Sequence, residues 1–256
     1  MSASWGAIFC SLPAEWRGPQ TTGAHLLATA LNHLIELLPR KDRLRLLALC
    51  EPVPLEPADV LCEPGKATRH VYFPTQGVIS LRTLADGKPG SEVAMVGREG
   101  MLGAQLALGV ASAPLLALVQ GAGAAWRIGS GAFRSEMARS AALQRALKRY
   151  LYVLMAQWAV SAVCHRFHRI GPRLARWLLM TQDRARCDSF RVTQEVLASM
   201  LGVHRLSIVK AARALERSGL IEYRRSDLTV LDRSGLEAAA CGCYDADRLA
   251  YAELLS

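Results

Sequence analysis

An α+β fold is predicted, on three observations. Thr193 to Leu215, TQEVLASMLGVHRLSIVKAARAL, reads as two short amphipathic helices meeting at a glycine, followed by two alternating strands around a polar turn. Residues 53–128 hold a succession of short apolar or alternating runs divided by turn residues. Between these regions Leu143, Leu147, Leu151, Leu154, Trp158, Ser161 and His165 recur at steps of four and three. The architecture that follows is an N-terminal antiparallel β-roll, a long dimerisation helix and a C-terminal winged helix-turn-helix.

Composition bounds the alternatives. With 256 residues, 51% of them hydrophobic and 21% charged, the chain has room for two modest domains with real cores. The first residues, MSASWGAIFCSLPAEWRGP, lack a basic region and a long apolar run, so no signal peptide is expected. Seven cysteines without framework spacing point to a reducing compartment, and a cytoplasmic protein is expected. Gly100 to Trp126 carries no charge and is long enough to cross a bilayer. Its five glycines, Pro114, Gln105, Ser112 and Gln120 favour a buried strand–turn–strand segment instead, and no membrane partner is predicted.

In order, residues 1–24 read as a loosely attached extension with Trp5 and Trp16 as its candidate anchors. Two short helices follow, His25–Leu38 and Arg40–Cys50, parted because a proline disfavours helix in the residue before it. Strands are expected at 53–55, 60–62, 70–73, 77–84, 91–96, 116–120 and 124–128. Glu63-Pro64-Gly65-Lys66 suits a type II turn and Asp86-Gly87 a tight hairpin. Many short strands with regular turns make a closed roll. One helix is then expected from about Ser135 to His168, ended by Gly171-Pro172. Its seam reads as a dimer interface, with intramolecular packing as the alternative. Arg173–Arg184 is a further amphipathic helix burying Leu174, Trp177, Leu178 and Leu179. The tail regains helical character through Leu236, Tyr244, Leu249 and Leu254. The divisions are 1–24 extension, 25–134 roll, 135–169 dimerisation helix, 170–232 winged helix-turn-helix and 233–256 tail.

In the helix pair, Thr193 caps the first helix and Gly202 supplies the corner. The second helix buries Ile208, Ala211, Ala212 and Leu215, leaving Arg205, Ser207, Lys210, Arg213 and Arg217 outward. An apolar back, a cationic front and short polar residues at the N-terminal end suit a DNA major groove. The competing reading is a helical hairpin whose basic face is merely solvated. Charge placement favours DNA: the chain carries a formal +9, and residues 165–225 hold thirteen Lys and Arg against five Asp and Glu.

Three motifs make the chain resemble the Crp–Fnr family of bacterial transcription regulators over roughly residues 30–232. They are EPGKATRHVYFPTQGVISL (63–81), VGREGMLGA (96–104) and TQEVLASMLGVHRLSIVKAARALERSGLIEYRR (193–225). The resemblance implies a homodimer on a two-fold symmetric operator in double-stranded DNA, with the roll as sensor and RNA polymerase as partner. The family's recognition helix begins with a short polar residue, then arginine, glutamate, threonine or serine, and later another arginine. Here His204, Arg205, Leu206, Ser207 and Lys210 hold those positions. Arg205 is the expected bidentate reader of guanine, Lys210 meets a base edge or a phosphate, and Thr193, Gln194 and Ser207 hold the DNA backbone. With Arg213 these make up the expected DNA-binding set. Leu206 departs from glutamate, so the family's commonest half-site is not assumed.

The roll departs further. Members that bind cyclic nucleotides carry Gly-Glu for the ribose and Arg-Ser for the phosphate. This chain has Gly103-Ala104 and Leu115-Leu116 in those frames, and leucines offer an anion neither donors nor charge. Control by cyclic AMP in the family manner is not expected, and the effector is left unassigned. An Fnr-type iron–sulfur cluster is not expected either, because Cys10, Cys50 and Cys62 are dispersed. Cys164, His165, His168, Cys241 and Cys243 are metal-ligand types, but the helical neighbours of Cys164 need not converge with it. They are read as buried or incidental, and no metal site or cofactor is expected. No nucleophile–base set or phosphate loop stands out, so an enzyme is not expected. The alternative function is a small-molecule or redox sensing module with weak or lost DNA binding.

Overall fold

The computed structural model describes residues 32–85 and 87–255. The extension read over 1–24 and the 25–31 part of the first expected helix lie outside the described residues. Asn32 caps α1 (His33–Glu36), its side chain accepting the Ile35 N–H at 3.3 Å. Pro39 then separates α1 from α2 (Arg40–Ala48).

The roll is one antiparallel sheet of β1 (Glu51–Leu55), β2 (Val60–Cys62), β3 (His70–Ala85), β4 (Lys88–Val96) and β5 (Leu116–Gly129). Its order is β1-β5-β3-β4, with β2 also on β5. The expected pairs of strands 70–73 with 77–84 and 116–120 with 124–128 are single long strands. Register shifts between Pro74 and Ile79 bend β3 across β5 without breaking the ladder. Gly77 makes the bend possible: it has φ +83°, and a Cβ there would sit 2.7 Å from the Gly121 carbonyl. Gly65 takes φ +77° and the Lys66 N–H reaches the Glu63 carbonyl at 3.1 Å, as the type II turn requires. The uncharged stretch 100–126 is a bridge at Leu102, a 3-10 turn (Ala104–Leu108) and most of β5. Among the described residues no helix is long and apolar enough to cross a membrane.

The helix expected from 135 to 168 is two helices, α3 (Ser130–Arg139) and α4 (Ala141–Phe167). Ser140 divides them: its extended backbone leaves α3, and its side chain accepts the Leu143 N–H at 3.0 Å to start α4. Nor does Gly171-Pro172 end α4. His168, extended, ends it, and Pro172 lies in the first turn of α5 (Ile170–Ala185), where its missing N–H has no intrahelical partner to lose.

The expected dimer seam is also corrected. Leu143, Leu147, Leu154 and Ser161 are buried within the chain, and Leu151, Trp158 and His165 are half-buried. Leu143 to Trp158 face the core shared with the roll and the C-terminal helix, whereas Ser161 and His165 lie towards Arg173 and Arg176. The neighbouring stripe of α4 is the exposed apolar one: Tyr152 is 62% exposed, Met155 63% and Phe167 72%, with Ala159 and Ala162 between them.

The C-terminal domain follows as β6 (Ser189–Arg191), α6 (Gln194–Leu201), α7 (Arg205–Arg217), β7 (Ile221–Arg224) and β8 (Asp227–Val230), the strands ordered β6-β8-β7. Arg225 and Ser226, both at positive φ, form the two-residue turn of the wing. The tail is α8 (Arg233–Ala239), packed on α5, and α9 (Cys243–Leu255), packed on α4. Leu236 and Tyr244 are buried there as expected, whereas Leu249 is exposed and Leu255 takes the core position.

The winged domain is docked on the outer face of the roll. Arg82 donates to the Gly90 carbonyl and to Ser199 Oγ at 2.6 Å each, and Gln120 Nε2 reaches Met200 Sδ at 3.1 Å. At the centre of this joint the buried Glu92 carboxylate accepts from Ser80 Oγ (2.5 Å), Gln120 Nε2 (2.7 Å) and Trp177 Nε1 (2.9 Å). Burial raises the Glu92 pKa against the opposing pull of those donors and of Arg82. An acid with a raised folded pKa binds extra protons in the native state, so its contribution to stability is full at low pH. It is lost as pH rises from the ordinary carboxylate range through the folded value. Glu92→Gln is therefore expected to flatten the pH dependence of stability over that window. Glu92→Ala, which leaves the buried Trp177 N–H without its acceptor and Ser80 and Gln120 with only the weakly accepting Met200 sulfur, is expected to cost about 3 kcal/mol. Urea unfolding across pH checks both.

Candidate nucleic-acid interface

The helix-turn-helix is built as its sequence requires. Thr193 Oγ accepts the Val196 N–H at 3.2 Å to cap α6, and Gly202 turns the corner at φ +62°. Val203 is half-buried in the angle. Ile208, Ala211, Ala212 and Leu215 form the buried back of α7, packed on α5, α6 and β7. Tyr223 ties the wing down, its hydroxyl donating to the Val192 carbonyl at 2.6 Å and its N–H to Glu216 at 3.1 Å.

Opposite that back lies an exposed face. At 100° per residue, Leu206, Lys210, Arg213 and Arg217 stand in one outward stripe, all exposed. Arg205 lies on the flank towards α6, where its Nε meets Glu195 Oε1 at 2.8 Å. Both side chains of that pair are about 60% exposed, so it contributes little energy and can be exchanged for another acceptor. Half-buried Ser207 lies on the other flank. His204 is the exposed residue before the helix, and Gln194 is half-buried at the start of α6. Of the expected set, His204, Arg205, Ser207, Lys210 and Arg213 thus come together around the free end and outer face of α7, while the Thr193 hydroxyl is occupied as a cap. The expected set did not include Arg217, which the sequence already placed outward and which continues the stripe, or Arg224 and Arg225 at the wing tip. Their signal was present as an Arg-Arg pair beside a hairpin turn.

Between the roll and α4 lies an open-mouthed pocket of about 670 Å³. Met101, Leu102, Ala104, Leu115 and Leu81 line it from the roll, and Leu151, Leu154, Met155 and Trp158 from α4. No charged side chain is among its lining residues. Gly103-Ala104 and Leu115 are in the wall, so the positions read from the sequence as replacing anion-binding residues do face the cavity.

The chain is thus an antiparallel roll joined through a long helix to a winged helix-turn-helix. Residues 172–239 match the Crp-like helix-turn-helix domain family. The fold of the chain is similar to that of a Crp/Fnr-family protein from Eubacterium rectale, at 15% identity and TM-score 0.64 over 82% of this chain and 99% of that one. It is likewise similar to FixK2 from Bradyrhizobium japonicum, at 13% identity and TM-score 0.63 over 75% and 98% of the two chains. A CRP-family transcriptional regulator of Thermus thermophilus matches at 21% identity and TM-score 0.59 over 73% and 96%. No curated protein matches in sequence. The C-terminal domain is a Crp-like helix-turn-helix, the whole has the fold of Crp/Fnr transcription regulators, and the resemblance read from the sequence is borne out.

The cysteine reading needs correction. His168 and Cys164 do converge, and Cys241 and Cys243 join them, so that the four ligand atoms lie within 4.8 Å of one another. His165 is turned elsewhere, towards Arg173 and Arg176 of α5, and burial with those two charges pulls its pKa down to about 4.

Proposed function

We propose that the protein is a homodimeric, sequence-specific DNA-binding transcription regulator of the Crp–Fnr type. The observation that carries the reading is the α7 face, an unburied row of cationic side chains on a Crp-like helix-turn-helix. In this reading Arg205 exchanges Glu195 for a guanine edge, and Lys210, Arg213, Arg217, Arg224 and Arg225 meet phosphates or neighbouring bases. Thr193, Gln194, His204 and Ser207 fix the register. Leu206, 72% exposed, has no polar group to offer a base and suits the methyl group of thymine.

The domains divide the work as sensor roll (to residue 134), dimerisation helix and reading head (170–232), with RNA polymerase as the cytoplasmic partner. The effector is an apolar small molecule in the roll cavity, and cyclic AMP is not bound in the family manner. The route from cavity to reading head is short. Leu81 of β3 lines the cavity, while its neighbours Ser80 and Arg82 point to the opposite face and contact Met200 and Ser199 of α6. A ligand that moves Leu81 therefore bears on the helix that supports α7.

Selection of bound fragments from a genomic duplex pool tests the reading. The expected result is a two-fold symmetric site with half-sites about 34 Å apart, one DNA turn, and an affinity that falls linearly on a log–log scale as salt rises. Equal, weak retention of every duplex would leave the sensing module without a DNA target and overturn it.

A further inference from the structure

Cys164 and His168 are one helical turn apart at the C-terminal end of α4, which puts both on one face. Cys241 lies in the turn that joins α8 to α9, and Cys243, beyond Gly242, is the first residue of α9. The fold brings these two distant segments together. Cys164 Sγ is 3.6 Å from Cys241 Sγ, and Cys243 Sγ is 3.4 Å from His168 Nδ1. In a tetrahedral site with metal–sulfur bonds of about 2.3 Å and metal–nitrogen bonds of about 2.0 Å, sulfur–sulfur edges are about 3.8 Å and sulfur–nitrogen edges about 3.5 Å. The two measured separations are therefore close to the edges of such a tetrahedron. The three cysteines are buried and His168 half-buried.

We propose that Cys164, His168, Cys241 and Cys243 bind one Zn²⁺ ion in a closed Cys₃His site. Three soft thiolates and an imidazole in tetrahedral array select zinc over the hard cations, which prefer oxygen. An iron–sulfur cluster is a poorer fit, since it spreads its thiolates over several irons and needs more room than four ligand atoms within 4.8 Å provide. Three thiolates around Zn²⁺ leave one net negative charge, and Arg173 and Arg176 of α5 lie close enough to interact with it. Because all four positions are taken by protein, the site is structural and not catalytic. Its place gives it a mechanical role: α5 begins at Ile170, two residues after the His168 ligand, so the ion clamps the tail to the joint between α4 and the winged domain.

The test uses the full-length chain, reduced, with Co²⁺ as the probe. The expected result is a tetrahedral thiolate–cobalt spectrum that saturates at one equivalent per chain and is abolished by Zn²⁺, with one zinc per chain in protein purified from zinc-containing medium. Cys241→Ser combined with Cys243→Ser should lose the spectrum, Cys62→Ser should keep it, and His168→Cys should keep the stoichiometry with a shift towards an all-thiolate spectrum. Circular dichroism on each variant separates lost binding from lost fold, and His168→Cys keeps the question answerable if the double variant does not fold. Only octahedral cobalt in folded protein, or an unchanged spectrum in the folded double variant, overturns the site. So does a Cys164–Cys241 disulfide that, once reduced, leaves a chain taking up no metal. None of these readouts depends on DNA, so the zinc site and the regulator reading stand or fall separately.

Discussion

Arg205→Ala is expected to lower affinity for the selected operator by roughly a thousandfold while leaving affinity for unrelated duplexes within a few-fold. A bidentate arginine–guanine pair contributes about 1–3 kcal/mol of discrimination, and a two-fold symmetric dimer makes the pair twice, so about 4 kcal/mol is at stake. The side chain is on the surface, its salt bridge is to Glu195 at 2.8 Å, and neither member of the pair is buried. Its removal therefore leaves the fold intact, which a thermal melt confirms independently. Lys210→Ala and Arg213→Ala provide the contrast. Residues that meet phosphate weaken all duplexes alike, and the slope of log affinity against log salt falls by about one for each phosphate left unneutralised. Fluorescence anisotropy at two salt concentrations separates the patterns. If Arg205→Ala weakened every duplex equally, Arg205 would be a phosphate ligand, and the specific reader would have to be sought at Leu206 or in the wing.

The reading head was legible in the sequence because its local rules all agree. A Thr cap, a Gly corner, apolar residues at helical spacing and a polar-turned hairpin each specify the same structure; the structure has the cap, corner and buried back at the residues expected, and the hairpin turn one residue earlier, at Arg225-Ser226. The roll was legible as a set of turns but not as a set of strands. Register shifts around Gly77 bend β3 and β5 instead of ending them, and a bend across a partner strand leaves no mark that distinguishes it from a loop. The division at Ser140 was missed because a serine inside a helical pattern signals a cap only when the residues before it leave helix. The dimer seam was misassigned for a related reason. Two apolar stripes run along α4, and periodicity alone cannot say which one the roll and α9 cover. The convergence of Cys164 and His168 with Cys241 and Cys243 was beyond sequence reading altogether, since it depends on α9 folding back onto α4 across more than seventy residues of chain.

Tyr152→Glu combined with Ala159→Glu is expected to convert the protein to monomer, and with it to abolish operator binding without disturbing the fold. The stripe Tyr152, Met155, Ala159 and Ala162 follows steps of three and four along the exposed side of α4, and no described element of the chain covers it. Such an apolar helical face on a chain of this fold is suited to an identical partner, and small residues at 159 and 162 let two helices approach closely. In a two-fold interface each substitution appears twice, and residues near the axis meet their own copies. Loss of two buried tyrosines costs about 4 kcal/mol, roughly a thousandfold in the dimer dissociation constant, before the repulsion of four added carboxylates is counted. Tyr152 does not line the roll cavity, so ligand binding there should survive. Sedimentation velocity reads the mass directly, and anisotropy on a full operator against a half-site reads the consequence. A monomer should bind the half-site and the full operator with the same weak affinity, because the second reading head is no longer tethered to the first. Retention of dimer mass by the folded variant would place the interface elsewhere than on α4, and the spacing of the two α7 helices would then have to be set by another surface.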